Sequence, residues 1–332
     1  MLWLVPHLFA DPRLIEVAAA GLRLPGLSTL LGRGSVSREA PPGTEGALCR
    51  ALGISPQHDW PLAPITLEAE VGAAGKDFWL RADPAHFQVM RDRIVLAEVG
   101  MTDLSREETD ALSAAISAHF GTALPLHALH AERGYLRYAH SLHLATTPPS
   151  LAIGRALDAV MPRGEDASGL RVLMNELQML LHAHPVNLAR ESRGAPPMNA
   201  LWIWGGGTRP AAVTCPVHVY ANGDTAAALA LYCEARLHAL PAALDVSMVG
   251  APGVVLLDAL EVPAQCGDAS GWRERLGTLE RNWFAPLAGT LHRIGTEGVS
   301  ILDPIGGGCI QLRRTDAWKI WRRPRDLLSR SG

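Results

Sequence analysis

Cysteine is scarce in the sequence, and its placement fits neither a disulfide framework nor a zinc site. Five cysteines occur in 332 residues, with wide spacing and no CxxC pair. They are Cys49, Cys215, Cys233, Cys266 and Cys309. This odd number is typical of reduced thiols, and the first residues lack the basic start and cleavage site of a signal peptide. We therefore expect a cytoplasmic protein with free cysteines.

Long apolar runs and an excess of one charge are also missing. No apolar stretch approaches the roughly 20 residues that span a bilayer, and 30 basic residues nearly balance 33 acidic ones, for a net charge of −3. We therefore expect no membrane partner and do not favour nucleic acid. The local exception is 318–325, WKIWRRPR, which could contact nucleic acid through stacking and phosphate pairing. The favoured interpretation is that its tryptophans pack against the protein while its arginines face solvent.

Strand-like and helix-like segments alternate in the first and last parts of the chain. The apolar, strand-like segments are 1–5, 213–220, 254–258 and 299–304, and helix-like segments include 14–20, 25–31, 224–240 and 272–291. A strand–helix–strand order of these lengths predicts parallel crossover units in an α/β protein. We predict that 1–75 and 212–332 form one discontinuous core domain, interrupted by a separate inserted domain at 76–211.

The most unusual stretch runs from His184 to Gly207 and reads HPVNLARESRGAPPMNALWIWGGG. Its pattern predicts a helix, a turn, a buried strand and a glycine loop. Because a proline disfavours helix in the residue before it, we interpret His184, Asn187 and Arg190 as groups displayed around a helix start, where sites are often built. The alternative is that Asn187 and Arg190 cap and fix the local backbone.

The same stretch resembles the corresponding run of the archaeal-type cofactor-independent phosphoglycerate mutases, members of the alkaline-phosphatase-like superfamily. The resemblance is nearly continuous from about 76 to 210 and includes Phe78–Asp83 and Arg133–Tyr138. The wording from 173 to 207 is also similar to proteobacterial proteins described as RpfE-like regulatory proteins or as phosphoglycerate mutases. The resemblance implies an α/β fold with a mostly parallel, alkaline-phosphatase-like sheet flanked by helices and a smaller inserted α+β domain.

Several polar residues in the resembling motifs are candidates for binding a ligand. They are Arg81, Arg137, His184, Asn187, Arg190 and Asn199. Arginine guanidinium groups pair well with phosphate and carboxylate groups. The alternative is that these arginines form ion pairs between structural elements, as soluble proteins commonly require.

The segment from Ala40 to Gly53 is similar to the family segment in which a serine accepts the phosphoryl group at a helix N-terminus. Thr44 supplies a hydroxyl at that position. A hydroxyl on the first turn lies where backbone N–H groups and the helix dipole favour a phosphate. The favoured alternative is that Thr44 is only an N-cap residue.

The family's phosphoryl transfer uses two divalent ions held by Asp and His clusters, and this sequence departs from that pattern. His7 stands where the family has its first Asp, Leu256 and Gln265 replace two histidines, and Asp303 is followed by proline instead of histidine. We therefore expect no two-metal centre. His7, Asp258, Glu261 and Asp303 could hold at most one divalent cation, Mg²⁺ or Mn²⁺, mainly through oxygens.

Three functional hypotheses follow. The favoured one is a degenerate, non-catalytic relative of the mutases that acts as a regulatory protein and binds a phosphorylated metabolite or a partner protein. The second is an active phosphotransferase or mutase that uses Thr44 as nucleophile with an altered metal site. The third is a binder of a phosphorylated metabolite or nucleotide, with Arg81, Arg137, Arg190 and the glycines 205–207 as an anion-binding site.

Overall fold

Two structural units divide the chain. The computed structural model describes residues 1–9, 11–72, 74–101, 103–121, 124 and 126–327, with only the backbone of Ala128. Unit 1 comprises Met1–Gly53 together with the chain from Val213, and unit 2 comprises Ile54–Ala212. The first boundary therefore lies earlier than the predicted one at 75/76, because the helix Leu62–Val71 packs on the strands of unit 2.

The described strands and helices are as follows. The strands are β1 Leu2–Leu4, β2 Ser35–Arg38, β3 Phe78–Val89, β4 Ile94–Val99, β5 Leu126–Leu129, β6 Gly134–Tyr138, β7 Leu144–Ala145, β8 Arg163–Gly164, β9 Ala200–Thr208, β10 His218–Tyr220, β11 Arg236–His238, β12 Gly253–Leu256, β13 Val299–Leu302 and β14 Gly308–Leu312. The helices are α1 Pro12–Ala18, α2 Pro25–Arg33, α3 Gly43–Ala51, α4 Leu62–Val71, α5 Arg106–Phe120, α6 Pro149–Ala152, α7 Leu157–Val160, α8 Ala167–His182, α9 Pro185–Ser192, α10 Asp224–Tyr232, α11 Glu261–Gln265, α12 Ala269–Leu279 and α13 Ala285–Gly289. None of the helices that can be described combines the length and apolar character needed to cross a bilayer.

Unit 1 is built on a mostly parallel sheet with the strand order β11-β10-β12-β1-β13-β14-β2. The pairs of β1 with β12 and β13, and of β10 with β11 and β12, are parallel, whereas β14 runs antiparallel to β13 and β2. The apolar β12 and β13 read as continuous buried strands, as expected for a sheet covered on both faces. The mostly parallel α/β prediction is therefore confirmed.

The core of unit 1 is rich in large aromatic side chains. Trp3, Trp272 and Phe284 are fully buried, and the Trp3 and Trp283 rings meet edge to face at 5.5 Å between centroids. A buried carboxylate stands in this apolar core: Glu280 accepts hydrogen bonds from the backbone N–H groups that begin α2. These apolar contacts hold β1 in the middle of the sheet, and β1 leads directly into a candidate site.

Unit 2 contains an antiparallel sheet in which the long strand β3 pairs with β4, β6 and β9, and β5 pairs with β6. Helices α4 and α8 pack on β9. The predicted capping box at the start of α5 is present, with Ser105 and Glu108 each accepting the other's backbone N–H. An antiparallel sheet with helices packed on it is the α+β architecture that the resemblance implied.

Three local predictions differ from the structure. The helix expected over 224–240 ends at Tyr232, because Glu234 adopts a φ of 54° and the chain then forms β11 on the sheet edge. The predicted glycine loop at 205–207 is the end of strand β9. The tryptophans expected to pack against the protein, Trp318 and Trp321, are 72% and 74% exposed. Pairing and packing between distant segments decide each of these cases.

Candidate functional site

Asp303, the first residue after β13, lies at the carboxyl edge of the unit 1 sheet and is fully buried. Its Oδ1 accepts hydrogen bonds from the backbone N–H groups of His7 at 3.0 Å and Ile305 at 2.9 Å, and its Oδ2 accepts from Phe9 at 2.7 Å. Burial raises the pKa of Asp303, while these bonds and the nearby His7 favour the charged form. The carboxylate therefore ties the turn after β1 to the turn after β13.

The glycines after Asp303 allow the two turns to lie in direct contact. A Cβ at Gly306 would stand 2.6 Å from both Asp303 Oδ2 and the Phe9 carbonyl oxygen, and one at Gly308 would overlap the Phe9 ring. Gly307 also requires glycine, because its φ is +72°. The space around the Asp303 carboxylate is thus occupied by the protein's own backbone and by Phe9.

His7 is held in an uncommon conformation on this edge. Its φ is 61°, in the left-handed region, and its Nε2 is buried without a hydrogen-bond partner among the described residues. Burial lowers the pKa of His7, and the charge of Asp303 opposes that effect. The turn after β1 therefore carries backbone strain together with an unsatisfied ring nitrogen, a combination that is more common at functional positions than elsewhere.

Glu261, at the start of α11, belongs to a group of carboxylates near the same edge. Burial, together with the charges of Glu45, Asp258 and Asp303, raises the pKa of Glu261 to about 8. Its Oε1 accepts only a long hydrogen bond, 3.4 Å from Gln265 Nε2. At neutral pH the Glu261 carboxyl group is therefore mostly protonated.

Thr44 lies in the first turn of α3, as the nucleophile hypothesis requires, and is buried. The N-cap alternative for Thr44 is wrong, because Pro42 occupies that position and makes no side-chain cap. Gly43, with a φ of +77°, donates its N–H to the Pro304 carbonyl at 3.1 Å. The start of α3 is thereby fixed to the turn that follows Asp303.

In unit 2, Arg81 forms an internal ion pair. Its Nε and Nη2 donate to Asp83 Oδ1 and Oδ2 at 2.8 and 2.9 Å, and the guanidinium lies 5.6 Å from the Tyr135 ring centroid and 5.2 Å from that of Trp204. Trp204 also donates to Asp83, at 2.7 Å. Arg81 and Asp83 are both buried, so this guanidinium is occupied within the sheet.

Arg190 is the most completely enclosed charged residue of the HPVN stretch, at 0% exposure. Its Nε donates to the Pro196 carbonyl at 2.8 Å, its Nη2 to Asp103 at 2.6 Å and its Nη1 to Glu108 at 2.8 Å. These bonds join α9 to the start of α5. The guanidinium is thus bound along its whole edge by protein groups.

Of the remaining candidates of unit 2, three bond to nearby backbone groups and one is exposed. Asn187 donates from Nδ2 to the carbonyls of Leu181 and Met198, each at 2.8 Å, and Asn199 bonds both backbone groups of Phe87. His184 is the N-cap of α9 and accepts the Val186 N–H at 3.3 Å. Arg137 differs, since its side chain is 60% exposed and paired with Asp77 at 2.7 Å. The backbone-fixing alternative thus describes the contacts of Asn187 and Arg190.

Asp59 is a buried residue that the sequence did not single out. It accepts hydrogen bonds from the N–H groups of Trp60 at 2.8 Å, Thr146 at 3.0 Å and Gly206 at 3.3 Å, and from the Thr146 hydroxyl. Burial raises the pKa of Asp59, and these bonds lower it. The expected anion-binding glycines thus meet a carboxylate of the chain itself. No motif in the sequence marks Asp59, because its partners lie far from it along the chain.

Comparison with known proteins shows a similarity to one family of enzymes. The sequence model of the 2,3-bisphosphoglycerate-independent phosphoglycerate mutases matches residues 63–187. The 2,3-bisphosphoglycerate-independent phosphoglycerate mutase of Methanosarcina mazei is 27% identical over 203 residues, which are 57% of this chain and 49% of that protein. Part of the chain is thus similar to the cofactor-independent phosphoglycerate mutases.

Two further comparisons concern a shorter stretch of sequence and the fold. Phosphoglycerate mutase 2 of Methanothermobacter thermautotrophicus is 44% identical over 64 residues, 19% of this chain and 16% of that protein. The structure of the PH0037 protein from Pyrococcus horikoshii shares the fold with a TM-score of 0.51 at 16% identity, covering 100% of this chain and 92% of that one. The chain spans about half the length of the Methanosarcina mutase that it matches. The likeness to the Pyrococcus structure shows the fold, and neither comparison shows the activity.

The residues at the unit 1 sheet edge do not fit the metal centre that the phosphoglycerate mutase relationship implies. Within the part of the chain that the structure describes, no group of three or more His, Cys, Asp or Glu side chains is arranged to hold a metal ion. His7, Asp258, Glu261 and Asp303 therefore do not form the predicted ligand set. The physical reason is that the oxygens of Asp303 face backbone N–H groups, while Glu261 favours its neutral form.

Proposed function

We propose that the chain is a degenerate, non-catalytic relative of the phosphoglycerate mutases that acts as a regulatory protein. The observation that carries this proposal is the use of the Asp303 carboxylate as an acceptor for His7, Phe9 and Ile305. A carboxylate engaged in this way holds loops together and cannot also act as an open ligand for a phosphoryl-transfer centre. The close packing of Gly306 and Gly308 against Phe9 supports the same conclusion.

We further propose that the regulatory protein binds a phosphorylated metabolite or a partner protein. Of the predicted ligand residues, Arg137 is the one whose guanidinium is both exposed and held by a single acidic residue, Asp77. A phosphate or carboxylate group can displace or share such a surface pair at small cost, because exposed ion pairs contribute only about 0–1 kcal/mol. Arg81 and Arg190, by contrast, would have to break buried pairs.

The similarity to RpfE-like regulatory proteins of proteobacteria and a cytoplasmic location belong to the same proposal. All five cysteines are free, with Cys49, Cys233 and Cys309 buried. Free thiols of this kind are stable in a reducing compartment.

The test is an assay of the purified full chain with 3-phosphoglycerate, in the presence and absence of Mn²⁺ or Mg²⁺. We expect no conversion to 2-phosphoglycerate and no ion retained through desalting. A thermal-shift titration with 3-phosphoglycerate should raise the melting temperature of the wild type, and Arg137→Ala should reduce that shift. Arg91→Ala, at another exposed arginine, is the matched control.

A second candidate function, phosphoryl transfer through Thr44, is favoured by one observation. Thr44 stands in the first turn of the nine-residue helix α3, where the helix dipole favours an anion. Metal-dependent interconversion that disappears in Thr44→Ala, and persists in the helical control Thr278→Ala, would replace the first proposal with this one.

A further inference from the structure

The segment 318–325, here called the tryptophan–arginine segment, presents the densest group of exposed apolar side chains in the described chain. Trp318, Ile320 and Trp321 are 72%, 75% and 74% exposed. Single exposed apolar residues are ordinary on protein surfaces, but large ones grouped within four residues mark a surface that contacts another molecule. Nothing in the mutase relationship uses this segment, since the family match covers 63–187.

The tryptophan–arginine segment is fixed to unit 1 on both sides. Before it, the buried Asp316 accepts the Arg313 N–H at 2.8 Å, and after it Leu327 is buried in the core of unit 1. Within it, Arg325 donates its N–H to Ser28 at 3.0 Å, and the chain passes so close to α2 that a Cβ on Gly32 would overlap the Arg323 carbonyl. The exposed tryptophans are therefore displayed on an anchored backbone, which reduces the entropy lost on binding.

The charge of this surface is opposite to that of the whole chain. From 313 to 325 the sequence has six basic residues and one acidic residue, whereas the chain as a whole has a net charge of −3. The basic residues are Arg313, Arg314, Lys319, Arg322, Arg323 and Arg325. Lys319 pairs with Asp316 at 2.5 Å, while Arg322 and Arg323 are exposed beside the tryptophans. The complementary partner is therefore anionic.

We propose that the tryptophan–arginine segment docks unit 1 on the surface of an anionic lipid membrane. Tryptophan is favoured at the boundary between water and lipid, an aliphatic side chain such as Ile320 gains from entering the acyl region, and adjacent arginines pair with anionic head groups. A peripheral contact of this kind needs no spanning helix, so the expectation of no membrane partner, which rested on the lack of a spanning run, does not bear on it.

Single-stranded nucleic acid is the other anionic partner, and the composition of the surface favours it less. Bases would stack on Trp318 and Trp321, but Ile320 offers no ring for stacking. A strand also needs a basic track along its length, and the chain as a whole has no basic excess. A membrane requires only a local patch with both apolar and basic groups.

The experiment is cosedimentation of the full chain with phosphatidylcholine vesicles, with and without phosphatidylglycerol. We expect binding to the anionic vesicles that weakens as salt rises, and little binding to the neutral ones. Arg322→Glu/Arg323→Glu and Trp318→Ala/Trp321→Ala should each reduce the partition coefficient about tenfold or more. These side chains are exposed, so circular dichroism spectra should stay unchanged.

Matched variants separate this surface from general effects of charge and apolar area. Arg91→Glu/Arg93→Glu makes the same charge change at two other exposed arginines, and Val89→Ala/Leu231→Ala removes exposed apolar side chains elsewhere. Both should bind anionic vesicles as the wild type does. No binding to anionic vesicles, equal binding to neutral ones, equal losses in the control variants, or tight binding of a single-stranded oligonucleotide in place of vesicles would each overturn the proposal.

Discussion

The two groups of candidate residues, one at the sheet edge of unit 1 and one in unit 2, differ in how far their polar groups are satisfied. In unit 2, Arg81 and Arg190 have their partners within the protein. In unit 1, Asp303 is satisfied, but His7 keeps an unpartnered ring nitrogen and Glu261 is buried near other carboxylates. Arg81 lies within the stretch 63–187 that matches the mutase family model and Arg190 lies just after it, whereas His7 and Glu261 lie far from it in sequence.

This difference between the two groups shows that a sequence motif can indicate a family resemblance without marking a reactive group. HPVN residues such as Asn187 and Arg190 make contacts that hold α9 against its neighbours, and those contacts are useful to the fold whether or not catalysis remains. The four predictions below test this difference between the two groups, from the largest expected effect to the smallest.

Arg190→Ala should have the largest effect on stability. The substitution removes the bonds from the buried guanidinium to Glu108, Asp103 and Pro196, and Glu108 keeps Arg193 as a partner. Because hydrogen bonds of charged groups contribute about 1.5–3 kcal/mol each, we expect a loss of about 4 kcal/mol or more. Urea denaturation should show the loss, and hydrogen exchange should accelerate first in α5 and α9. A variant of wild-type stability with altered ligand affinity would instead make Arg190 a binding residue.

Asp303→Ala should destabilise unit 1 by about 3 kcal/mol or more, because three backbone N–H groups lose their acceptor and each costs about 1–3 kcal/mol. Asp303→Asn, which keeps one acceptor oxygen, should lose less. A chelator should not shift the melting temperature of the wild type. If a chelator lowers it as much as Asp303→Ala does, Asp303 is a metal ligand and the contrast between the two groups disappears.

Glu261 makes stability depend on pH with a defined sign. Its pKa rises from 4.5 to about 8 in the folded state, so the folded protein holds a proton that the unfolded chain releases. Stability should therefore fall as pH rises from about 4.5 to about 8, and Glu261→Gln should flatten that dependence and stabilise the protein above pH 8. Urea midpoints across this range provide the measurement, with the exposed Glu274→Gln as control. An unchanged slope would show that Glu261 ionises normally.

Arg137→Ala should change stability least, by no more than about 1 kcal/mol, because the Arg137–Asp77 pair is exposed. The same urea titration measures it. A loss as large as that of Arg190→Ala would remove the distinction between surface and buried arginines on which the choice of Arg137 depends.

Much of the fold was predictable because the pattern of apolar residues along the chain indicates its strands and helices. Apolar segments around Val254 and Ile301 indicated buried parallel strands, and the order of elements placed His7 and Asp303 at the same sheet edge. What the sequence could not supply were partners distant along the chain. Asp59 bonds Gly206, and the glycines at 205–207 extend β9 because Gly207 must lie against Pro61. The sequence around Asp59 does not indicate that it bonds Gly206, and the sequence around Gly207 does not indicate that it packs on Pro61.

The bonds around Asp303 also constrain how this sheet edge could be rebuilt as a metal site. Restoring histidines at Leu256 and Gln265, where the family has them, would not by itself free the Asp303 oxygens from His7, Phe9 and Ile305. The turn at 306–308 would also have to open, which requires Phe9 to leave its place over Gly308. Several coordinated substitutions would therefore be needed before the Asp303 oxygens could face an added ligand, because backbone packing holds these groups in place.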